Sequence, residues 1–253
     1  MKLQGKVAIV TGAGSGFGEG IAKLFSQEGA TVIVADIRGE AAERVAQEIV
    51  AAGGTAIASH TDVTRNDDVA AMIQLAVGTY GKLDILVNNA GTTHKSQPML
   101  DVDEATFDRV FAVNVKSIYF AAKNVVPVFK QQGHGVILNI ASTAGVRPRP
   151  GLTWYNGSKG AVIMLTKSMA VELAPLKIRV NAINPVMGET GLLTDFLPGG
   201  EDTAESRGRV ISTIPLGRLS LPIDIAKAAA FLSSSEADFI TGACLEVDGG
   251  RCV

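Results

Sequence analysis

The segment Tyr155-Asn156-Gly157-Ser158-Lys159 carries the most chemistry in this chain. It opens a helical pattern, and a spacing of four puts Tyr155 and Lys159 on one helix face. A free phenol has a pKa near 10 and is a poor base at neutral pH. Bringing it to about 7 takes about three units, or roughly 4 kcal/mol. A neighbouring ammonium supplies part of that by favouring the phenolate. Tyr155 then acts as a general acid–base on a carbonyl or alcohol oxygen. Ser142 follows the apolar run 136–140, and its hydroxyl can hold the same oxygen.

A second signal is Thr11-Gly12-Ala13-Gly14-Ser15-Gly16-Phe17-Gly18. Glycines let the backbone turn tightly and let a pyrophosphate approach. The helix that follows offers free N–H groups and partial positive charge to phosphates. A glycine-rich stretch alone says little. Here it sits between a β-branched run and a helix, and an acid follows at the expected distance. That acid is Asp36, whose carboxylate can accept from both ribose hydroxyls. It repels a 2′-phosphate, and Ser15 offers no cation to offset that, so NAD is expected over NADP. Arg38 keeps NADP open, because it can swing toward a 2′-phosphate. The structural alternative is that Asp36 only caps the next helix.

Positioning these residues requires a sheet. Short apolar runs at 6–10, 31–36, 55–59, 84–87, 136–140, 178–183 and 243–247 read as strands. Helical patterns lie between them, at about 16–27, 40–52, 67–80, 103–130, 154–173 and 223–233. Continuous apolar strands alternating with helices predict an α/β chain with a parallel sheet covered on both faces. Right-handed crossovers make it a doubly wound, seven-stranded Rossmann fold, one domain over 1–253. The rhythm breaks at about 186–221, with Gly188, Gly191, Pro198, Gly199, Gly200, Gly208 and Pro215. A loop that long is usually functional, and Met187, Leu192, Leu193, Phe196 and Leu197 suit a lid over an apolar pocket. A surface insertion is the alternative.

Composition excludes several classes. Of 253 residues, 47% are hydrophobic and 19% charged, which rules out a disordered chain. A net charge of −2 gives no footprint for nucleic acid or an anionic membrane. Cys244 and Cys252 do not make a disulfide framework, and a reducing, cytoplasmic setting is expected. His60, His94 and His134 are scattered, so no metal site is expected. No apolar stretch reaches the length of a membrane span, and the first apolar run is too short for a signal peptide.

Taken together, these motifs resemble the short-chain dehydrogenase/reductase family over essentially the whole chain. Among its members, glucose/ribitol-type dehydrogenases and 3-oxoacyl-[acyl-carrier-protein] reductases are similar. The segment Gly12-xxx-Gly16-x-Gly18 looks like the family's cofactor loop, and Asn88-Asn89-Ala90-Gly91 like its fourth-strand motif. Asn114, Ser142, Tyr155 and Lys159 match its catalytic tetrad. The resemblance implies that Tyr155 exchanges the proton and Ser142 orients the substrate. It implies that Lys159 lowers the Tyr155 pKa and binds the nicotinamide ribose. Asn114 would hold a water that relays protons from Lys159. Asn89, Asp62 and Val63 would contact the adenosine half of the cofactor, and Gly188 and Thr190 the carboxamide end. The family usually reads Pro-Gly where this chain has Pro185-Val186, which puts a side chain beside the nicotinamide.

The expected reaction is hydride transfer between NAD and a secondary alcohol or ketone. The alternatives are an NADPH-dependent 3-oxoacyl-[acyl-carrier-protein] reductase and a non-catalytic dinucleotide sensor. A small-molecule pocket is expected from Thr92, Thr93, His94, Ser142, Thr143, Val146, Thr153, Met187 and the lid. Arg147 and Arg149 read either as anion-recognising residues or as a solvated basic turn. The helix at 154–173 is apolar nearly all round, so Ala161, Ile163, Leu165 and Ala170 are expected against another subunit. The family resemblance implies a homotetramer.

Overall fold

A computed structural model describes residues 1–197 and 201–253. Seven parallel strands lie in the order β3-β2-β1-β4-β5-β6-β7. They are β1 (Val7–Thr11), β2 (Thr31–Asp36), β3 (Thr55–His60), β4 (Ile85–Asn88), β5 (Gly135–Ile140), β6 (Ile178–Pro185) and β7 (Cys244–Val247). The order reverses between β1 and β4, and the C-terminal strand ends there form the crevice where such sheets bind ligands.

Alternation along β1 shows why the sheet is covered twice. Ala8 and Val10 face one apolar layer, while Val7 and Ile9 face the other. The first layer packs Ile21 and Phe25 of α1 (Gly16–Gln27), Val45 and Ile49 of α2 (Gly39–Ala51), and Ile225 and Ala229 of α9 (Pro222–Ser233). The second packs Met72 and Ile73 of α3 (Asn66–Tyr80), Val125 and Phe129 of α5 (Ser117–Gln132), and Leu173 of α6 (Thr153–Leu173). Strand and helix expectations agree with these elements to within a few residues.

Two expectations need correction. The single helix expected at 103–130 is instead α4 (Glu104–Phe111), a π-turn at Ala112–Lys116 and α5. A π-turn leaves the hydrophobic period almost unchanged, and such turns favour functional sites. The break at 186–221 is not an open loop. It holds α7 (Leu193–Phe196) and α8 (Ala204–Ile211) around a satellite core of Val186, Met187, Leu193, Leu197, Val210, Ile214 and Leu219. Pro198, Gly199 and Gly200 lie outside the described residues.

The subunit-facing expectation also changes in part. Ala170 is buried in its own chain's core, and Ile163 packs on a separate cluster with Ile118, Ala141, Val162 and Ala182. The apolar residues that α6 leaves exposed are Met164 and Val171.

Candidate active site

The glycine loop joins β1 to α1 where two backbones nearly touch. Gly12 has φ +62°, and a Cβ there would sit 2.8 Å from the Ala90 Cα. A Cβ on Gly18 would lie 2.2 Å from the Gly12 carbonyl oxygen. Only glycine fits at either position. Asn89 fastens this loop to β4. Its Nδ2 donates to the Thr11 carbonyl at 2.8 Å and the Gly12 carbonyl at 3.1 Å. Ser15 precedes α1 with no side-chain cap bond, so the first-turn N–H groups point to the cleft uncapped.

Asp36 is buried at the end of β2. Its Oδ2 accepts from the Gly14 N–H and its Oδ1 from the Arg38 N–H, both at 2.9 Å. It therefore ties the glycine loop to the turn before α2 without capping that helix, whose N-cap is Arg38, and it lines the cleft. The Arg38 guanidinium donates to the Ser15 hydroxyl at 2.8 Å and lies 3.6 Å from Asp36. A cation thus spans the loop where the sequence placed only Ser15.

Tyr155 and Lys159 stand one turn apart on α6, both buried. Lys159 Nζ donates to the Ile140 carbonyl at 2.8 Å, and burial pushes its pKa down to about 8. Burial drives the Tyr155 phenol above its usual value. The Ser142 hydroxyl and then the Arg149 charge pull it back only in part. The Arg149 charge therefore acts on the phenol, while Lys159 stands one turn further along the same helix. Ser142 Oγ also accepts from the Ala144 N–H at 3.1 Å, which fixes its side chain.

Asn114 projects from the π-turn. Its Oδ1 accepts from the Thr92 N–H at 2.9 Å. Its Nδ2 donates to the Thr92 carbonyl at 2.9 Å and to Ser158 Oγ at 3.0 Å. The carboxamide therefore ties β4's exit to α6, and Oδ1 keeps a second acceptor position beyond the Thr92 N–H. A cavity of about 10 Å³ does lie behind it, lined by Thr11, Asn88, Asn114, Ser117 and Lys159. That is room for one water.

The main cleft measures about 580 Å³, the size of a dinucleotide or drug-scale site. It gathers Gly12, Ser15, Gly16, Phe17, Asp36, Asp62, Val63 and Asn89 together with Ser142, Tyr155, Lys159, Gly188 and Thr190, the last two lying against Phe17 and Gly16. Gly18 and Asn114 sit behind its wall. A Cβ on Gly188 would lie 2.4 Å from the Phe17 ring, so that ring seats directly on its backbone.

Of the expected substrate pocket, Thr92, Ser142 and Met187 line the cleft, whereas Thr93, His94, Thr143, Val146 and Thr153 do not. Thr93 and His94 are turned inward, with His94 Nδ1 against the Lys95 carbonyl at 2.8 Å. Among the lid residues Leu192 and Phe196 reach the cleft, while Leu193 and Leu197 are buried in the satellite core. Val186 does both, lining the cleft and rooting that core without a positive φ. Residues that sequence reasoning missed here are Thr61 and Arg109. Thr61 had a signal, since it follows β3 at the ligand-binding edge. Arg109 is the one cation on α4, and nothing in its spacing marks it. Among the described residues, no group of three His, Cys, Asp or Glu could hold a metal, and no helix is long and apolar enough to cross a membrane.

The family model described as enoyl-(acyl carrier protein) reductase matches residues 12–251. A 4-formylbenzenesulfonate dehydrogenase of Comamonas testosteroni is 54% identical over 251 residues, covering 99% of each chain. The crystal structure of a 3-ketoacyl-(acyl-carrier-protein) reductase from Brucella melitensis complexed with NADH superposes with a TM-score of 0.93. It is 50% identical, covering 99% of this chain and 100% of the other. A 7α-hydroxysteroid dehydrogenase complexed with NADH and 7-oxo glycochenodeoxycholic acid gives 0.92 at 39% identity, over 98% and 95%. The chain belongs to the short-chain dehydrogenase/reductase family and is an oxidoreductase acting on CH–OH groups.

Proposed function

We propose that this short-chain dehydrogenase/reductase uses NAD to interconvert a secondary alcohol and its ketone, with Tyr155 as general acid–base. One observation carries the reading. Tyr155, Ser142 and Lys159 meet at one end of a cleft whose other end holds an uncapped helix N-terminus and the Asp36 carboxylate. The cradle fits a dinucleotide, since the glycine positions leave backbone where a Cβ would clash. Gly12, Ser15, Gly16 and Phe17 would hold the pyrophosphate, with Gly18 keeping α1 tight against the loop. Asp36 would hold the adenosine ribose, Asp62 and Val63 the adenine side, and Gly188 and Thr190 the carboxamide end. When bound, the nicotinamide supplies or accepts the hydride, and its oxidised ring adds positive charge beside the phenol.

Each remaining task falls to this chain's side chains. Ser142 and the Tyr155 hydroxyl hold the substrate oxygen. In reduction Tyr155 donates its proton to that oxygen; in oxidation the phenolate takes it. Lys159 places an ammonium against the same site and holds the nicotinamide ribose. Asn114 and Asn89 are positioning residues, one for the Thr92 backbone and one for the glycine loop. The segment 186–221 serves as the lid, through Met187, Leu192 and Phe196. The same reading makes the protein a cytoplasmic homotetramer, in which Cys244 and Cys252 stay as thiols and Met164 and Val171 are covered.

A specific observation favours a second reading. Arg38 on Ser15 is placed to meet a 2′-phosphate. That contact would suit NADP and a 3-oxoacyl-[acyl-carrier-protein] reductase. A non-catalytic sensor is set aside by the family's chemistry. The discriminating experiment is kcat/KM with NADH and with NADPH over a panel of ketones. The expected outcome favours NADH by about tenfold or more, about 1.4 kcal/mol. An NADPH preference would overturn the assignment of Asp36 as selector.

A further inference from the structure

We infer that Arg149 forms an anion subsite in the cleft, and that the substrate carries a carboxylate-type oxyanion about one ring's width from its reacting carbon. This deepens the reading proposed above and rests on it. Arg149 sits between Pro148 and Pro150, whose rings restrict the turn. Asn156 Nδ2 donates to the Arg149 carbonyl at 2.9 Å, which pins that turn to α6. The guanidinium lies over the Phe196 ring, 5.6 Å from its centroid. The same ring packs against Tyr155 at 5.1 Å between centroids. One phenyl ring therefore touches both the cation and the reacting tyrosine, which bounds the span between them, and all three line the cleft.

The charge on Arg149 is unanswered. Among the described residues, no carboxylate makes a salt bridge with it, and its side chain donates no hydrogen bond to protein. Burial disfavours its charged form, and the next charge felt there is that of a second cation, Arg251, apart from the titrating Tyr155 itself. The carboxylates lining the cleft, Asp36 and Asp62, belong to its adenosine end. Toward the tyrosine end the other charged lining residue besides Lys159 is Arg109, again a cation, donating to Thr92 Oγ1 at 3.1 Å. A half-buried guanidinium without a counter-ion is costly, and a bidentate oxyanion removes that cost. Phe196 offsets part of it through its ring face, while leaving the edge donors free. Arg147 makes the contrast. It is exposed and donates to the Arg251 carbonyl, so the solvated-turn reading holds for that residue alone.

The test is a matched pair of ketones, 4-acetylbenzoate and 4-acetylbenzamide, titrated into the protein with saturating NAD+, a mixture in which no hydride can be transferred. Calorimetry reads both dissociation constants in the unaltered chain, Arg149→Met and Arg149→Lys. The expected result is binding of the carboxylate about tenfold or more tighter than the amide. That ratio collapses toward one in Arg149→Met and is partly kept in Arg149→Lys, with NAD+ affinity retained in both. Equal binding of the two ketones, no measurable carboxylate binding, or a ratio that survives Arg149→Met would each overturn the subsite. NAD-linked turnover of neutral alcohols is measured separately, so the subsite can fail while the dehydrogenase reading stands.

Discussion

Tyr155 is asked to exchange a proton in a place that disfavours its charged form. Burial raises its pKa, and the Ser142 hydroxyl and Arg149 charge only partly offset this. The sign of one consequence is fixed. Removing a cation near a phenol raises the phenol's pKa further. Alcohol oxidation needs the phenolate, so its rate rises with pH up to that pKa. In Arg149→Met, the rising limb of kcat/KM for a neutral secondary alcohol is expected to move to higher pH. A limb that stays in place or moves lower would show that Arg149 does not act on Tyr155. Lys159 is buried with a pKa near 8, so it remains mostly protonated at neutral pH and loses its charge across the alkaline range. At this scale the sequence was legible where chemistry is set by spacing: Tyr155, Lys159, Ser142 and Asp36 all reach the cleft. It was not legible where chemistry is set by enclosure. Arg147 and Arg149 look alike in a row of letters, and Phe196, far along the chain but stacked on Arg149 alone, separates them. Asn114 was found by resemblance, but its carboxamide is occupied by Thr92 and Ser158, a use that no spacing rule encodes.

Elements differ in how much of themselves they show. The strands were plain because parallel strands are apolar on both faces, and β1 contributes alternate residues to two separate layers. The glycine loop was plain because its glycines answer to backbone contacts that any side chain would violate. The π-turn at Ala112–Lys116 was hidden, since one extra residue in a turn barely disturbs an apolar period. It nevertheless directs Asn114 at the Thr92 backbone, and so aligns the exit of β4 with α6. The segment after β6 was hidden for a different reason. Its two short helices gain little from local propensity and hold together by the Val186–Leu219 satellite core, which forms only in three dimensions. Val186 departs from the family's usual glycine at that root. Because its backbone needs no left-handed conformation, the added side chain joins the satellite core without strain.

The whole molecule places the residues proposed for phosphate binding and proton exchange, with Arg149, along one cleft at the switch point of a seven-stranded sheet. Its outer face is less settled than its core. Met164 and Val171 on α6 are exposed, as are Phe239 and Val253. Exposed apolar residues of this kind suit the association proposed above. Light scattering at micromolar concentration is expected to give four times the chain mass of 26.3 kDa. A monomer would contradict the homotetramer. The central claim is that Tyr155 exchanges the proton while the rest of the cleft binds the cofactor. It is tested most directly by Tyr155→Phe, which removes one hydroxyl and keeps the ring against Phe196. Steady-state turnover and NADH affinity are measured on the same preparation. Turnover is expected to fall by about 100-fold or more, the scale of general acid–base catalysis, with the NADH dissociation constant within about twofold of the unaltered chain. Full turnover in Tyr155→Phe would contradict the account.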